Sequence, residues 1–162
     1  MLDKINLGCG DKKLDGFLNV DGRTEVSPDI VMDITDLSRF KDGTFSYIFA
    51  HDVFEHVPHA KVWPVLIDWV RCLAVGGILE IQVPSIDRMI AARDKIIADS
   101  GGDSSLRFSQ LIFGGQTYQA NFHYVCYTKE FFELVTKKLP VKIDRYLPEV
   151  GKFNHQIYYK KV

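Results

Sequence analysis

Cysteine is scarce in this 162-residue chain: there are three, Cys9, Cys72 and Cys126, odd in number and far apart. No Cys-x-x-Cys pair is present, which argues against a disulfide framework or a cysteine zinc site and favours a reducing, cytoplasmic compartment. Nor is one sign of charge in excess, since twenty Lys and Arg face twenty-one Asp and Glu, a net charge of −1. Non-specific nucleic-acid binding needs a surplus of basic surface, so no nucleic-acid partner is expected. Long apolar runs are missing too. A spanning helix takes about 20 apolar residues, and the best stretch, Val62–Val83, is interrupted by Asp68, Arg71, Glu80 and Gln82. The N-terminal Met1-Leu2-Asp3-Lys4-Ile5 has no basic segment followed by an apolar one, so neither a membrane nor the secretory route is expected. What is present, 46% hydrophobic and 25% charged residues without repeats, suits one folded domain over 1–162 rather than a disordered chain.

Short apolar runs alternate with helical stretches. Strands are expected at Lys4–Leu7, Phe17–Val20, Ile30–Met32, Phe45–Ala50 and Ile78–Val83, each bounded by turn residues such as Asp15-Gly16, Asp42-Gly43 and Gly76-Gly77. Val62, Val65, Leu66, Trp69 and Leu73 recur at three- and four-residue steps, which predicts a helix from Val62 to the Gly76-Gly77 stop, with Pro64 in its first turn. A helix over Ser85–Ala98 follows, with Ser85 as N-cap, then a polar loop at Asp99–Ser105 and a short helix at Leu106–Phe113 ended by Gly114-Gly115. Thr128 caps a helix to Leu139 that presents Phe131, Leu134 and Val135 on one face. Two last strands lie near Val141–Leu147 and His155–Lys161. Their connection, Pro148–His155, is too short for a helical crossover, so they are expected to be antiparallel. The expected architecture is an α/β, Rossmann-like, seven-stranded, mostly parallel sheet with helices on both faces and an antiparallel last strand.

Chemistry concentrates at the strand ends, where ligands bind in such sheets. Gly8-Cys9-Gly10 follows the first strand, and glycine there lets the backbone turn sharply and approach a ligand. A dinucleotide fingerprint would need a third glycine at Lys13. Asp21 ends the second strand, as a ribose-binding acid or as the turn residue before Gly22. Asp33 ends the third, as a site residue or as the N-cap of a short helix around Asp36–Phe40, a task Thr35 could also serve. His51-Asp52-Val53-Phe54-Glu55-His56-Val57-Pro58-His59 is the densest polar cluster. Its histidines do not have the i, i+4 spacing of a zincin helix and Pro58 interrupts it, so no metal is expected. His51 and Asp52 belong at the cleft, while Glu55 and His56 orient the loop or face the ligand, His56 reading best as a partly buried, hydrogen-bonded histidine. Gln116–Tyr127 mixes polar and aromatic residues, as a surface for a small or sugar-like substrate does, and His123 within it is a candidate general base or part of a packed aromatic loop.

Taken together, Leu7-Gly8-Cys9-Gly10, Asp21, Asp33, Phe45-Ser46-Tyr47-Ile48 leading to Phe54-Glu55-His56, and Leu73-x-x-Gly76-Gly77 before Val83-Pro84 resemble a class I S-adenosylmethionine-dependent methyltransferase. More narrowly, the compressed Gly8–Asp21 opening and Phe122-His123 resemble small methyltransferases associated with bacterial polysaccharide biosynthesis. The resemblance implies S-adenosyl-L-methionine as cofactor. Gly8, Cys9 and Gly10 would pass under its methionine portion, Asp21 would bind the ribose hydroxyls, Asp33 and Ile34 would flank the adenine, and His51 would lie against the methionine end, with Asp52 also among the cofactor-binding residues. Ala74-Val75-Gly76-Gly77 keeps the glycines of the family's Lys-Pro-Gly-Gly turn and lacks its proline. The first strand opens at residue 4, so a lid is expected from residues 85–127 or from a second subunit, as in a homodimer.

The expected activity is methyl transfer to an oxygen or nitrogen of a small-molecule or sugar acceptor, with His123 or His51 as catalytic base. A non-catalytic cofactor-binding or partner module is the main alternative, and a nicotinamide-dependent enzyme the second, against which the missing third glycine speaks.

Overall fold

The computed structural model describes residues 2–99, 104–118 and 120–162, the side chains of 104 and 105 excepted. Its strands are β1 (Lys4–Leu7), β2 (Leu18–Asp21), β3 (Ile30–Val31), β4 (Phe45–His51), β5 (Leu73–Pro84), β6 (Val141–Val150) and β7 (Asn154–Lys161). They form one sheet in the order β3-β2-β1-β4-β5-β7-β6. The pairs from β3 through to β5 are parallel, and β7 runs antiparallel to both β5 and β6. The α-helices among the described residues are α1 (Val62–Cys72), α2 (Ile86–Ala91), α3 (Arg93–Asp99), α4 (Ser104–Phe113) and α5 (Lys129–Lys138). This is the expected mixed sheet, flanked by helices, with the last strand reversed.

Alternation along the strands divides the sheet into unlike faces. Ile5, Leu7, Ile48, Ala50, Leu79, Ile81, Val83, Ile157 and Tyr159 are buried in one apolar cluster with Val65, Leu66 and Trp69 of α1 and Phe132 and Val135 of α5. Burying each large side chain there contributes about 1.5–3 kcal/mol. The register places Asn6, Phe49, Glu80 and Tyr158 side by side on the opposite face, together with Tyr47, His51 and Gln156. This second face is polar and aromatic, and its side chains bond chiefly to one another.

The β1–β2 connection carries no helix, and Asn19 holds it. Its Oδ1 accepts the Leu14 N–H at 2.8 Å and the Asn6 amide at 3.0 Å, while its amide donates to the Leu14 and Phe17 carbonyls at 3.2 and 3.1 Å.

Several expected boundaries move. The helix from Val62 stops at Cys72, and Leu73 already pairs with Phe45 of β4. Lys161 takes the place of a glycine stop, its ammonium donating to the carbonyls of Val70 and Leu73 at 2.7 Å each. The stretch expected as one helix over Ser85–Ala98 bends at Ala92 (φ −95°, ψ 3°) into α2 and α3, although Ser85 caps it as expected by accepting the Arg88 N–H. On α5 the buried residues are Phe132 and Val135, whereas Leu134 is exposed, because the ring of Tyr127 packs on both Phe131 and Phe132 and sets the rotation of the helix. Thr128 sits at its N-cap without a side-chain cap bond. Residues 100–103 of the expected polar loop lie outside the described residues, as does residue 119.

Candidate functional site

The strand order turns back between β1 and β4, and two cavities open beyond the carboxyl ends of these strands, of about 760 and 310 Å³. Both are walled by Gly8, Arg23 and Asp52, so they meet at the turn after β1.

That turn depends on glycine at Gly8. Its φ is +67°, and a Cβ there would run into the side chain of Val53. Gly10 is also left-handed (φ +50°), and its N–H donates to Asp21 Oδ2 at 2.8 Å. Cys9 between them is buried; its N–H donates to the Val20 carbonyl at 2.9 Å and burial pushes its thiol pKa up. Asp21, the last residue of β2, is buried at the wall of the larger cavity. Burial works to raise its pKa, but the Arg23 guanidinium and the N–H groups of Arg23 and Gly10 outweigh it and hold the carboxyl below its usual range. Arg23 Nε is 3.1 Å from Asp21 Oδ1, and the guanidinium lies over the Tyr118 ring, 4.8 Å from its centroid.

Asp33 and Ile34 line the larger cavity. Trp69 of α1 donates its indole N–H to the Ile34 carbonyl at 2.9 Å, and Asp33 Oδ1 accepts the Thr35 N–H at 2.8 Å. Turns, not a helix, follow over 36–40, fastened by Arg71 to the Leu37 and Phe40 carbonyls at 3.0 and 2.8 Å.

His51, the last residue of β4, lines the smaller cavity. Its ring stacks on Phe49 at 3.7 Å, and Nε2 is 2.7 Å from Glu80 Oε1. An ionised carboxylate only accepts, so Nε2 bears a hydrogen towards Glu80. Glu80 also accepts from Tyr47 and Gln156. Burial raises its pKa, yet these bonds and His51 together hold it lowered. Asp52 follows in a left-handed conformation (φ +53°) and accepts from Asn154 at 2.7 Å and from Gln82.

His123 lines neither cavity. The structure instead brings it to Glu55 and His56, the His56 and His123 rings lying 5.0 Å apart. Burial raises the Glu55 pKa well above its usual value and lowers those of both histidines. From the 116–127 segment, Tyr118, Ala120 and Tyr124 reach the larger cavity. Sequence reasoning did not single out Arg23, Val53 or Glu80. Glu80 had a signal, because it and Gln82 alternate with Leu79, Ile81 and Val83.

Residues 7–81 match the family model of the methyltransferase domain. No curated protein matches the sequence. An S-adenosylmethionine-dependent methyltransferase from Methanosarcina mazei superposes with a TM-score of 0.70 at 15% identity, over 98% of this chain and 92% of that one. The fold is that of the S-adenosylmethionine-dependent methyltransferases. A protein from Pyrococcus horikoshii (TM-score 0.69, 18% identity, 98% and 81% of the two chains) is similarly close. So is an S-adenosylmethionine-dependent methyltransferase from Clostridium acetobutylicum (TM-score 0.63, 13% identity, 98% and 83%).

The matched domain and this methyltransferase fold imply S-adenosyl-L-methionine as cofactor. The residues present fit it. Gly8 brings bare backbone to the wall that both cavities share. Asp21 Oδ2 accepts from Gly10 at 2.8 Å and from the Arg23 guanidinium only at 3.5 Å, a weak bond that a hydroxyl can displace. The larger cavity falls in the size range of small-molecule sites, roughly 300–1,000 Å³.

Proposed function

We propose that this chain transfers the methyl group of S-adenosyl-L-methionine to an oxygen or nitrogen of a small-molecule or sugar acceptor. The observation that carries the reading is the meeting of two cavities at Gly8 and Asp52, one lined by Asp21, Asp33 and Ile34, the other by His51. When bound, the cofactor supplies an electrophilic methyl group on a sulfonium sulfur. Asp21 accepts the ribose hydroxyls through Oδ2, Asp33 accepts the adenine amine, and Ile34 packs on the ring. Gly8, Cys9 and Gly10 offer backbone to the methionine portion, with His51 and Asp52 at that end. His51 is the base. Glu80 holds Nε2–H, so Nδ1 takes the acceptor's proton. Support for His51 over His123 comes from the smaller cavity, which His51 lines and His123 does not. Residues 85–127 serve as lid and acceptor-binding region, consistent with Tyr118 and Tyr124 at the larger cavity. A sugar acceptor rests on the sequence resemblance to polysaccharide-associated methyltransferases.

The test is transfer of labelled methyl from the cofactor to a panel of sugars, nucleotide sugars, phenols and amines. Label should move above the no-protein blank and be lost in His51→Ala. Cofactor binding without transfer to any acceptor would instead make the chain a non-catalytic binding module.

A further inference from the structure

The turn after β4 and the strip before α5 are bolted together. Tyr124 N–H donates to the Glu55 carbonyl at 2.9 Å, and the Tyr127 hydroxyl donates to the Phe54 carbonyl at 3.3 Å. His123 N–H donates to the Phe113 carbonyl at 3.1 Å, which fixes the strip against the end of α4. The junction holds three groups that ligate metals. One atom each of Glu55, His56 and His123 lies within 4.8 Å of the other two.

Two of the three groups are prepared for a ligand. Glu55 is 2% exposed, and its buried Oε2 has no hydrogen-bond partner among the described residues. Leaving a carboxylate oxygen unbonded out of water is costly, so an orphan of this kind asks for an explanation. His56 Nδ1 is 2.9 Å from the Phe122 carbonyl. A carbonyl only accepts, so Nδ1 carries the proton and Nε2 presents its lone pair. Metal-ligating histidines are usually held in this way by an outer acceptor.

We infer that Glu55, His56 and His123 form a site for one divalent transition-metal ion of the zinc class. Two imidazole nitrogens and one carboxylate oxygen suit zinc and its borderline neighbours, whereas magnesium and calcium prefer all-oxygen shells. Zinc bonds of about 2.0–2.2 Å put tetrahedral ligand atoms about 3.4 Å apart. Closing the trio from within 4.8 Å therefore shortens each pair by at most about 1.4 Å, within reach of side-chain adjustment. His56 is the member that lines the larger cavity. The site requires neither the cofactor nor the methyl-transfer reading.

The experiment is calorimetric titration of zinc chloride into the chelator-stripped chain without cofactor, alongside thermal unfolding. One ion should bind per chain, and saturating zinc should raise the melting temperature by roughly 5–10 °C. Glu55→Gln and His123→Ala should each weaken binding about 100-fold or more, beyond the loss of an outer partner. His59→Ala and Cys126→Ser, at exposed residues outside the trio, should bind as the native chain does. Stripped variants that melt within a few degrees of the native chain show that the loss is not unfolding. Should a trio variant not fold, His56→Gln supplies the same readout. Absence of stoichiometric binding to the folded native chain, or equal binding by native chain and trio variants, would overturn the proposal. Neither result would bear on cofactor binding, which is measured separately.

Discussion

Gly8→Ala tests whether the turn after β1 is as constrained as its geometry implies. Alanine at φ +67° sits in the left-handed region, at about 1–2 kcal/mol. The new Cβ would also lie 2.8 Å from Val53 Cβ and closer still to Cγ2, and such overpacking costs about 1–3 kcal/mol. Against this, alanine restricts the unfolded chain and returns about 0.4–1 kcal/mol. The balance is a loss of roughly 3 kcal/mol, a fall in melting temperature of about 6–12 °C for a chain of this size. Urea unfolding followed by tryptophan fluorescence reads it directly. The Val53→Ala background separates the contributions. The Cγ contacts disappear there while the Cβ contact and the φ penalty stay, so Gly8→Ala should cost less in that background, about 2 kcal/mol. A loss below about 0.5 kcal/mol in the native background, or strict additivity with Val53→Ala, would refute the reasoning.

Glu80→Gln should destabilise the chain by about 1–3 kcal/mol at neutral pH, since it disrupts charge-assisted bonds to His51 and Tyr47. The native pKa of Glu80 is lowered, so its contribution is present above the unfolded carboxyl value and disappears as pH falls through the folded one. The gap between native and variant melting temperatures should therefore narrow from pH 6 towards pH 3; a constant gap would contradict the lowered pKa. His51→Ala should slow methyl transfer by about 10²–10⁴-fold while S-adenosylhomocysteine affinity stays within about threefold, and a collapse of affinity would assign His51 to binding instead. Trp69→Phe should remove the bond that steadies Ile34 and cost about 1–3 kcal/mol in urea unfolding, because the Ile34 carbonyl lies beside a buried indole.

Local chemistry made much of the fold legible. Lys4–Leu7 is a strand with the expected bounds because Gly8 ends it, and Gly114 stops α4 through a φ of +84°. Where tertiary contacts decide, residue order was a poor guide. The end of α1 lies at Cys72 and not at Gly76-Gly77 because Lys161, from the far end of the chain, caps its carbonyls.

The site divides in the same way. Gly8, Asp21, Asp33 and His51 could be placed because each sits at or just after the end of a strand whose position the apolar pattern betrays. Alternation with Leu79 and Ile81 marks Glu80 as facing away from the core, but its contact with His51 follows from the register of β4 and β5, which residue order alone does not encode. The grouping of His56 with His123 was hidden for a similar reason. The nearby histidines have the wrong spacing for a shared metal, and the strip that meets His56 begins 66 residues away at Phe122.

The most direct test of the cofactor site is thermal unfolding with and without S-adenosylhomocysteine, with Asp21→Ala run beside the native chain. Ligand at about 100 times its dissociation constant should add about 2.7 kcal/mol, a rise of roughly 5–10 °C. The account predicts that rise in the native chain and its loss in the variant, whose ribose acceptor is gone. No rise in the native chain, or an equal rise in both, would contradict the placement of the cofactor on Asp21.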